Sequence, residues 1–272
     1  MYRYFDEKKQ HLHTYDGKPL IGTSSVCSII GKGDGLTWWA SGMSIGKLGW
    51  TKKSDSRKKE ADNTKERLKI ALVKLKELRK LTIVEYLKLL DEAYRAHDTH
   101  KREKAIEGTK RHEALESYVK MCLGTNGGVP LTAKFENPFV QKFADYSVEN
   151  IKKFLWSEIH CYNLELWVGG IADVGWIDMD DEVVAGDFKS SKEAYFSQFI
   201  QIAGYDEEIS DSGGLTANGE KIFKLPKPIS KYCVIPFGAD EFQPKFVKAV
   251  EEYRDGFRHA LSLYRLSESY GD

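Results

Sequence analysis

The fold is predicted from two stretches of sequence, Gly169-Gly170-Ile171-Ala172-Asp173-Val174-Gly175 and Ala185-Gly186-Asp187-Phe188-Lys189. Their residues follow a period of two, which is typical of β-strands, and the polar run between them predicts a turn. In an antiparallel hairpin with its turn centred near residue 180, Asp173 lies directly across from Asp187, about 5 Å away. Because side chains alternate along a strand, Lys189 lies on the same face as Asp187. The pattern therefore predicts two carboxylates and one ammonium group at a single place.

Two facing carboxylates repel each other unless a positive charge neutralises them, and a divalent cation is the usual solution. Carboxylate oxygens are ligands that suit Mg²⁺ or Mn²⁺. Such a cation can polarise a phosphoryl oxygen and acidify a bound water, while a nearby lysine offsets developing charge. The pattern favours metal-assisted phosphodiester hydrolysis. The alternative is a simple ion pair between Asp173 and Lys189 on an exposed face of the sheet.

Composition limits the class of protein. The chain has 272 residues and 31.0 kDa, with 41% hydrophobic residues, 30% charged residues and a mean hydropathy of −0.48. These values indicate a folded protein of one large or two small domains. No apolar run approaches the roughly 18 residues that a membrane span needs, and the charged N-terminus does not resemble a secretory signal. We therefore expect no membrane partner and a cytoplasmic location, in a bacterial or phage-infected cell.

Charge and cysteine spacing add two expectations. The four cysteines, which lie far apart without zinc-site spacing, are predicted to be reduced core thiols: Cys27, Cys122, Cys161 and Cys233. Basic and acidic residues balance at 41 each, so no global field indicates a nucleic-acid partner. Residues 52–80, however, carry twelve Lys or Arg against five acidic residues, a local excess of seven. This region is either a contact for phosphates or a solvated helix face.

Hydrophobic periodicity and turn residues predict the remaining elements. Asp16-Gly17 predicts a hairpin turn, and Thr23-Ser24-Ser25 predicts a helix start. The other expected elements are helices over 53–100 with a break near Leu81-Thr82, helices over 107–119, 138–154, 193–210 and 241–268, and strands over 156–178, 182–188 and 232–237. Trp38-Trp39-Ala40 begins another short element.

Four short motifs in this order resemble the RecB-like branch of the PD-(D/E)XK nuclease superfamily. They are a Gly108…His112 helix motif, Gly170…Asp173 on a strand, Asp187-Phe188-Lys189 on the next strand, and Gln201…Tyr205 on the following helix. The resemblance covers roughly residues 108–205, and Ala172 stands where the superfamily name has proline. It implies an α/β fold with a restriction-endonuclease-like αβββαβ core, in which helices flank a central mixed sheet, plus an N-terminal helical lobe. We expect the lobe, with its β-hairpin, over 1–105 and the core over 106–272.

The resemblance also implies roles for individual residues. His112, Asp173, Asp187 and the Phe188 carbonyl would bind Mg²⁺ or Mn²⁺, and Lys189 would be the catalytic lysine. Gln201 and Tyr205 would support the site and the DNA strand, and Glu158 would be an additional acidic residue of the first strand. Contacts with nucleic acid are expected from Lys110, Arg111, Ser190, Ser191 and Lys192. Taken alone, His112 would more simply be a packing residue and Gln201 with Tyr205 an ordinary i,i+4 pair, while Glu113 and Glu116 would cap or solvate their helix.

The implied activity is a metal-dependent DNA exonuclease that acts on single-stranded or frayed duplex ends in phage or bacterial recombination or repair. The alternatives are a structure-specific or restriction-type endonuclease, a catalytically silent module that binds DNA ends, and RNA as the substrate. Only Cys233 lies in the last quarter of the chain, so an iron-sulfur cluster like that of CRISPR-associated relatives is not expected. A recombinase or single-strand-annealing partner and a homo-oligomer are further expectations. Trp38, Trp39 and Trp50 are expected in the core, with base stacking as the alternative.

Overall fold

The computed structural model describes residues 1–7, 10–31, 35–51, 60–238 and 242–270. The chain divides into two compact units, one formed by residues 1–30 with 108–272 and the other by residues 31–107. Among the described residues, no helix is both long enough and apolar enough to traverse a lipid bilayer.

In the described part of the chain, four strands come first and six helices follow, and then three strands, one helix, four strands and a last helix complete the order. The helices are α1 Thr23–Cys27, α2 Gly35–Gly46, α3 Glu60–Leu78, α4 Ile83–Tyr94, α5 Ala96–Asn126, α6 Pro138–Asn150, α7 Phe196–Ser212 and α8 Glu251–Tyr270. The strands are β1 Tyr2–Glu7, β2 Gln10–Tyr15, β3 Lys18–Pro19, β4 Ile21–Gly22, β5 Ile151–Asn163, β6 Val168–Asp178, β7 Val183–Lys189, β8 Gly214–Leu215, β9 Lys221–Phe223, β10 Ile229–Pro236 and β11 Lys245–Lys248. The protein is therefore a mixed α/β structure, as the sequence predicts.

An eight-stranded mixed sheet organises the first unit. Seven strands follow the order β11-β10-β7-β6-β5-β8-β9, and β4 pairs with β6. The pairs β7–β10 and β4–β6 are parallel, whereas β5, β6 and β7 form an antiparallel meander. A separate three-stranded sheet contains β1, β2 and β3. The short β2–β3 connection is the predicted Asp16-Gly17 turn, in which both residues have positive φ, 48° and 74°.

Helices cover both faces of the large sheet. On one face, apolar residues of α5 and α6 pack on Phe154, Val174 and Phe188. On the other face, α7 packs on Ile159 and Ala185, and α8 packs in turn on α7 and α1. Successive residues of β7 therefore point into opposite layers, which places Asp187 and Lys189 on the α7 side and Phe188 on the α5 side.

Two predicted helices are partly wrong. Residues 151–154, predicted as the end of the helix over 138–154, belong to β5. Ile151 is already extended, and Ile151 and Phe154 are buried in the sheet core while Lys152 and Lys153 face solvent. The three-residue spacing of these apolar residues also fits a helix, which explains the error. Residues 245–248 form β11, paired antiparallel with β10, before α8 begins.

The first 30 residues pack with the unit that contains the large sheet, whereas the sequence analysis grouped them with the helical lobe. The Tyr2 hydroxyl lies 2.6 Å from His13 Nδ1 and 3.2 Å from His160 Nδ1 of β5, and the Tyr2 side chain is buried. Strand β4 adds a parallel pair with β6. The other end of the predicted lobe, residue 105, lies two residues before the observed boundary at Glu107.

The second unit contains α2, α3, α4 and the first part of α5. The predicted break near Leu81-Thr82 is present, because Thr82 caps α4 in a reciprocal capping box with Glu85. Trp50 is 42% exposed, so its predicted place in the core is wrong. The side chains of Trp38 and Trp39, and residues 52–59 of the basic region, lie outside the described part of the chain.

Candidate active site

The β6–β7 hairpin has the register predicted from the sequence. Val174 pairs with Gly186 and Ile177 with Val183, so the hairpin is centred on residue 180 and its next register position joins Asp173 to Asp187. The Phe188 backbone N–H donates a hydrogen bond to Asp173 Oδ2 at 2.9 Å. The two carboxylates therefore come together at the point where this pairing ends.

Asp187 and Lys189 begin a chain of polar contacts that continues into α7. Lys189 Nζ lies 2.6 Å from Asp187 Oδ2 and donates to Gln201 Oε1 at 3.1 Å. Gln201 Nε2 in turn donates to the Tyr205 hydroxyl at 2.6 Å. Gln201 and Tyr205 lie on one face of α7 because they are four residues apart. The ammonium is held by two partners, and its side chain remains 23% exposed.

His112 brings α5 to the same place. His112 Nε2 lies 3.1 Å from Asp173 Oδ2, and His112 Nδ1 lies 3.7 Å from Glu158 Oε1 of β5. The imidazole also packs edge-to-face on Phe188, with ring centroids 5.6 Å apart. Four elements of the first unit, α5, β5, β6 and β7, thus each contribute a polar side chain to one cluster.

Burial and neighbouring charges shift the pKa values of Asp187 and Asp173 in opposite directions. Burial raises the pKa of Asp187, and the neighbouring Asp173 charge raises it further against the opposing effect of Lys189. Burial also disfavours ionisation of Asp173, but its hydrogen bond and charge interaction with His112 leave the pKa of Asp173 below the ordinary value. Burial lowers and Asp173 raises the pKa of His112, with a net upward shift. Both Asp173 and Asp187 thus have a cationic or protonated neighbour.

Glu158 has an unusual backbone for a strand residue, with φ of +47°. This left-handed conformation breaks the alternation of β5, so that Trp156 and Ile159, three residues apart, both lie in the core on the α7 side. Burial, followed by the charges of Glu116 and Asp173, raises the pKa of Glu158 to about 7. A strained residue that carries a perturbed carboxyl group is characteristic of functional sites.

The sequence analysis missed Glu116, which it assigned to helix capping or solvation. Ligand atoms of His112, Glu116 and Glu158 lie within 4.8 Å of one another. Glu116 also forms an ion pair with Lys120. The signal was available in the sequence, because His112 and Glu116 are four residues apart and share a helix face.

The residues predicted to contact nucleic acid have different surroundings. Lys110, Ser190 and Lys192 are exposed. Arg111 is half-buried and donates to the Phe237 carbonyl at 2.7 Å, which ties α5 to the end of β10. Ser191 is half-buried and its hydroxyl donates to the Glu193 carbonyl at 2.7 Å.

Gly108 explains why the first motif contains a glycine. A Cβ atom at this position would lie 3.0 Å from the Ser190 Cβ. The absence of a side chain lets α5 pass close to the loop that follows Lys189, and His112 lies one helical turn further along α5.

The candidate donors for a divalent cation are the carboxylates of Asp173 and Asp187 and the His112 imidazole, which lies beside Asp173. Carboxylate oxygens suit Mg²⁺ or Mn²⁺, whereas imidazole also binds zinc and other transition metals. The Phe188 side chain is buried between Phe143 and His112, and its carbonyl remains a predicted ligand.

Comparison of the sequence with models of known protein families finds no match, and comparison with curated proteins finds no significant match.

Proposed function

We propose that the protein is a metal-dependent nuclease that hydrolyses phosphodiester bonds in DNA, acting as an exonuclease on single-stranded or frayed ends. One observation carries the proposal: Asp173 and Asp187 occupy facing positions of a hairpin, with Lys189 and His112 in direct contact with them. A protein gains no stability from facing carboxylates in a partly buried place, so a catalytic use of the pair is the simplest explanation.

The segment from α5 to β10 supports this proposal by its order of elements. The long helix α5 precedes the β5–β6–β7 meander, α7 follows it, and β10 adds a parallel strand beside β7. We propose that this segment is a restriction-endonuclease-like core. The motif residues then lie on the element types that the RecB-like branch requires.

His112, Asp173, Asp187 and the Phe188 carbonyl would hold the cation. When bound, a divalent cation supplies an electrophile for a phosphoryl oxygen and lowers the pKa of a water molecule. The acidic residues of this chain accept the cation only when ionised, so its binding opposes the upward shift in the pKa of Asp187.

Lys189 would be the catalytic residue that faces the phosphate. Its ammonium would offset the negative charge that develops on the phosphoryl oxygens as water attacks phosphorus, and on the leaving oxygen as its bond to phosphorus breaks. Gln201 and Tyr205 are positioning residues, because Gln201 holds Lys189 directly and Tyr205 holds Gln201.

The test is digestion of an end-labelled linear single strand beside a closed single-stranded circle, each with Mg²⁺, Mn²⁺ or EDTA. The proteins are wild type, Asp187→Asn and the matched control Asp181→Asn. Asp181 is an exposed residue of the same hairpin with φ of +63°, a conformation that asparagine tolerates. We expect wild type and Asp181→Asn to degrade the linear strand only, and Asp187→Asn or EDTA to abolish the reaction.

Other outcomes would change the proposal. Cleavage of the circle would indicate an endonuclease, and cleavage of a ribonucleotide strand alone would indicate RNA as the substrate. Binding of DNA ends without hydrolysis under any metal condition would refute the enzymatic proposal and favour a silent binding module.

A further inference from the structure

Two adjacent aromatic side chains lie on the surface where the β7–α7 connection ends. Tyr195 is 53% exposed and Phe196 is 64% exposed. The core on this side of the sheet is filled by other residues of α7, among them Phe199 and Ile202. Tyr195 and Phe196 are therefore not needed to fill it, and they form an adjacent pair of exposed aromatic side chains.

The connection is held rigidly by hydrogen bonds at both ends. The Phe237 and Gly238 N–H groups donate to the Lys189 and Ser191 carbonyls at 2.8 and 2.9 Å. The Gln198 side chain accepts from the Tyr195 N–H at 2.8 Å and donates to the Ser191 hydroxyl at 3.2 Å. Because the loop is fixed in this way, the aromatic side chains are exposed at a defined position, which reduces the entropy cost of binding.

The aromatic pair lies close to the candidate active site. Tyr195 ends the short loop that begins directly after Lys189. Its N–H donates to the Gln198 side chain, and Gln198 donates to the hydroxyl of Ser191, which follows Lys189 by two residues. A strand held at Lys189 and running along this loop would reach Tyr195 and Phe196.

The same loop offers a basic group, an acidic group and a hydroxyl between Lys189 and the aromatic pair. Lys192, Glu193 and Ser190 are all exposed. Phe196 is additionally supported by Tyr253 of α8, with ring centroids 6.2 Å apart. A basic group that can contact phosphates beside aromatic rings is the combination that binds single-stranded nucleic acid without sequence preference.

We propose that Tyr195 and Phe196 form a stacking platform for unpaired bases of the DNA strand held at the candidate active site. This inference rests on the proposed function and specifies its substrate class. Bases within a duplex are already stacked, so the platform selects a single-stranded or frayed strand over a closed duplex. Because every base has a π-face, it selects no sequence.

The test combines the double variant Tyr195→Ala/Phe196→Ala with abasic substitutions along a labelled single strand. Binding is measured by fluorescence anisotropy in Ca²⁺, with gel analysis of the recovered strand to establish that it is intact. We expect the double variant to weaken binding of the normal strand about 5-fold to 100-fold. The variant Tyr195→Phe/Phe196→Tyr retains both rings, and we expect it to bind as tightly as wild type. Tyr270→Ala removes a tyrosine of α8 that is 95% exposed, and we expect it to leave the affinity unchanged.

The abasic series distinguishes stacking from general loss of binding. For wild type, an abasic residue at one or two positions lowers affinity, and the double variant shows no additional loss at those positions. If the losses of affinity from the abasic residue and from the double substitution add in full, the inference is overturned. An unchanged affinity of the double variant would also overturn it, and the surface would then be left for a protein partner.

Hydrolysis by wild type in Mg²⁺ is recorded in parallel to separate the two proposals. If wild type hydrolyses the strand and the double variant binds it as tightly as wild type does, only the platform is refuted and the nuclease proposal stands. Binding without hydrolysis refutes the nuclease and leaves the platform to be decided by the abasic series, and absence of both binding and hydrolysis refutes both.

Discussion

Substitution of Gln201 tests how the site holds its lysine. In Gln201→Leu, Lys189 loses its 3.1 Å acceptor and Tyr205 loses its 2.6 Å donor, whereas the contact of Lys189 with Asp187 remains. A hydrogen bond to a charged group contributes about 1.5–3 kcal/mol. If that energy serves to orient the ammonium in the transition state, its loss lowers kcat about 10-fold to 100-fold.

The assay measures initial rates on an end-labelled single strand over a range of DNA concentrations, so that kcat and KM are separated. Gln201→Leu should lower kcat with little change in KM, because the contacts of the Gln201 side chain are with Lys189 and Tyr205. Gln201→Glu is the matched variant, since a carboxylate still accepts from Lys189 and can accept from the Tyr205 hydroxyl. We expect it to retain most of the activity.

Thermal unfolding of both variants provides the structural control. A Gln201→Leu protein that melts like wild type and retains wild-type kcat would refute the positioning role. A change confined to KM would instead assign Gln201 to substrate binding.

Two further predictions concern stability. Burial raises the pKa of Glu208 to about 8, so between pH 4.5 and 8 the folded state binds the additional proton and stability falls as pH rises, by up to about 1.4 kcal/mol per pH unit. The raised pKa values of Asp187 and Glu158 add to the same fall, so Glu208→Gln should reduce the slope by its own share in denaturant unfolding measured across that range. An unchanged slope would contradict the assignment. Gly175→Ala should lower the free energy of unfolding by about 1–3 kcal/mol or more, because its Cβ would lie 2.1 Å from the Trp156 ring. Gly124→Ala, within α5 and with no atom within 4 Å, should raise it by about 0.5–1 kcal/mol. Equal melting temperatures of the two variants would refute this packing argument.

The central hairpin could be predicted because its information is local. Once strand alternation and a turn near residue 180 are recognised, the facing of Asp173 and Asp187 follows from the arithmetic of antiparallel pairing, and the observed register agrees. The turn at Asp16-Gly17 and the helix break at Thr82 have equally local signals.

The errors arise where tertiary pairing decides between two local structures. Residues 151–154 have apolar spacing that suits either a helix or a strand, and pairing of β5 with β6 selects the strand. Residues 245–248 form a strand because β10 offers an edge for pairing. Periodicity alone contains neither piece of information.

The site also has features that only three-dimensional contact reveals. The left-handed backbone of Glu158 has no sequence signal, because glutamate is not a turn residue such as glycine or asparagine. The proximity of Glu116 to Glu158 joins a helix to a strand 42 positions later in the sequence. Neither feature follows from a short sequence motif.

The most direct test of the central claim is a calorimetric titration of Mn²⁺ into wild type, Asp187→Asn and the control Asp181→Asn. We expect wild type and Asp181→Asn to bind Mn²⁺ with the same affinity, Asp187→Asn to lose this binding, and binding to weaken at acidic pH because the ligands must be ionised. Equal Mn²⁺ binding by all three proteins would contradict the assignment of Asp173 and Asp187 as the cation site.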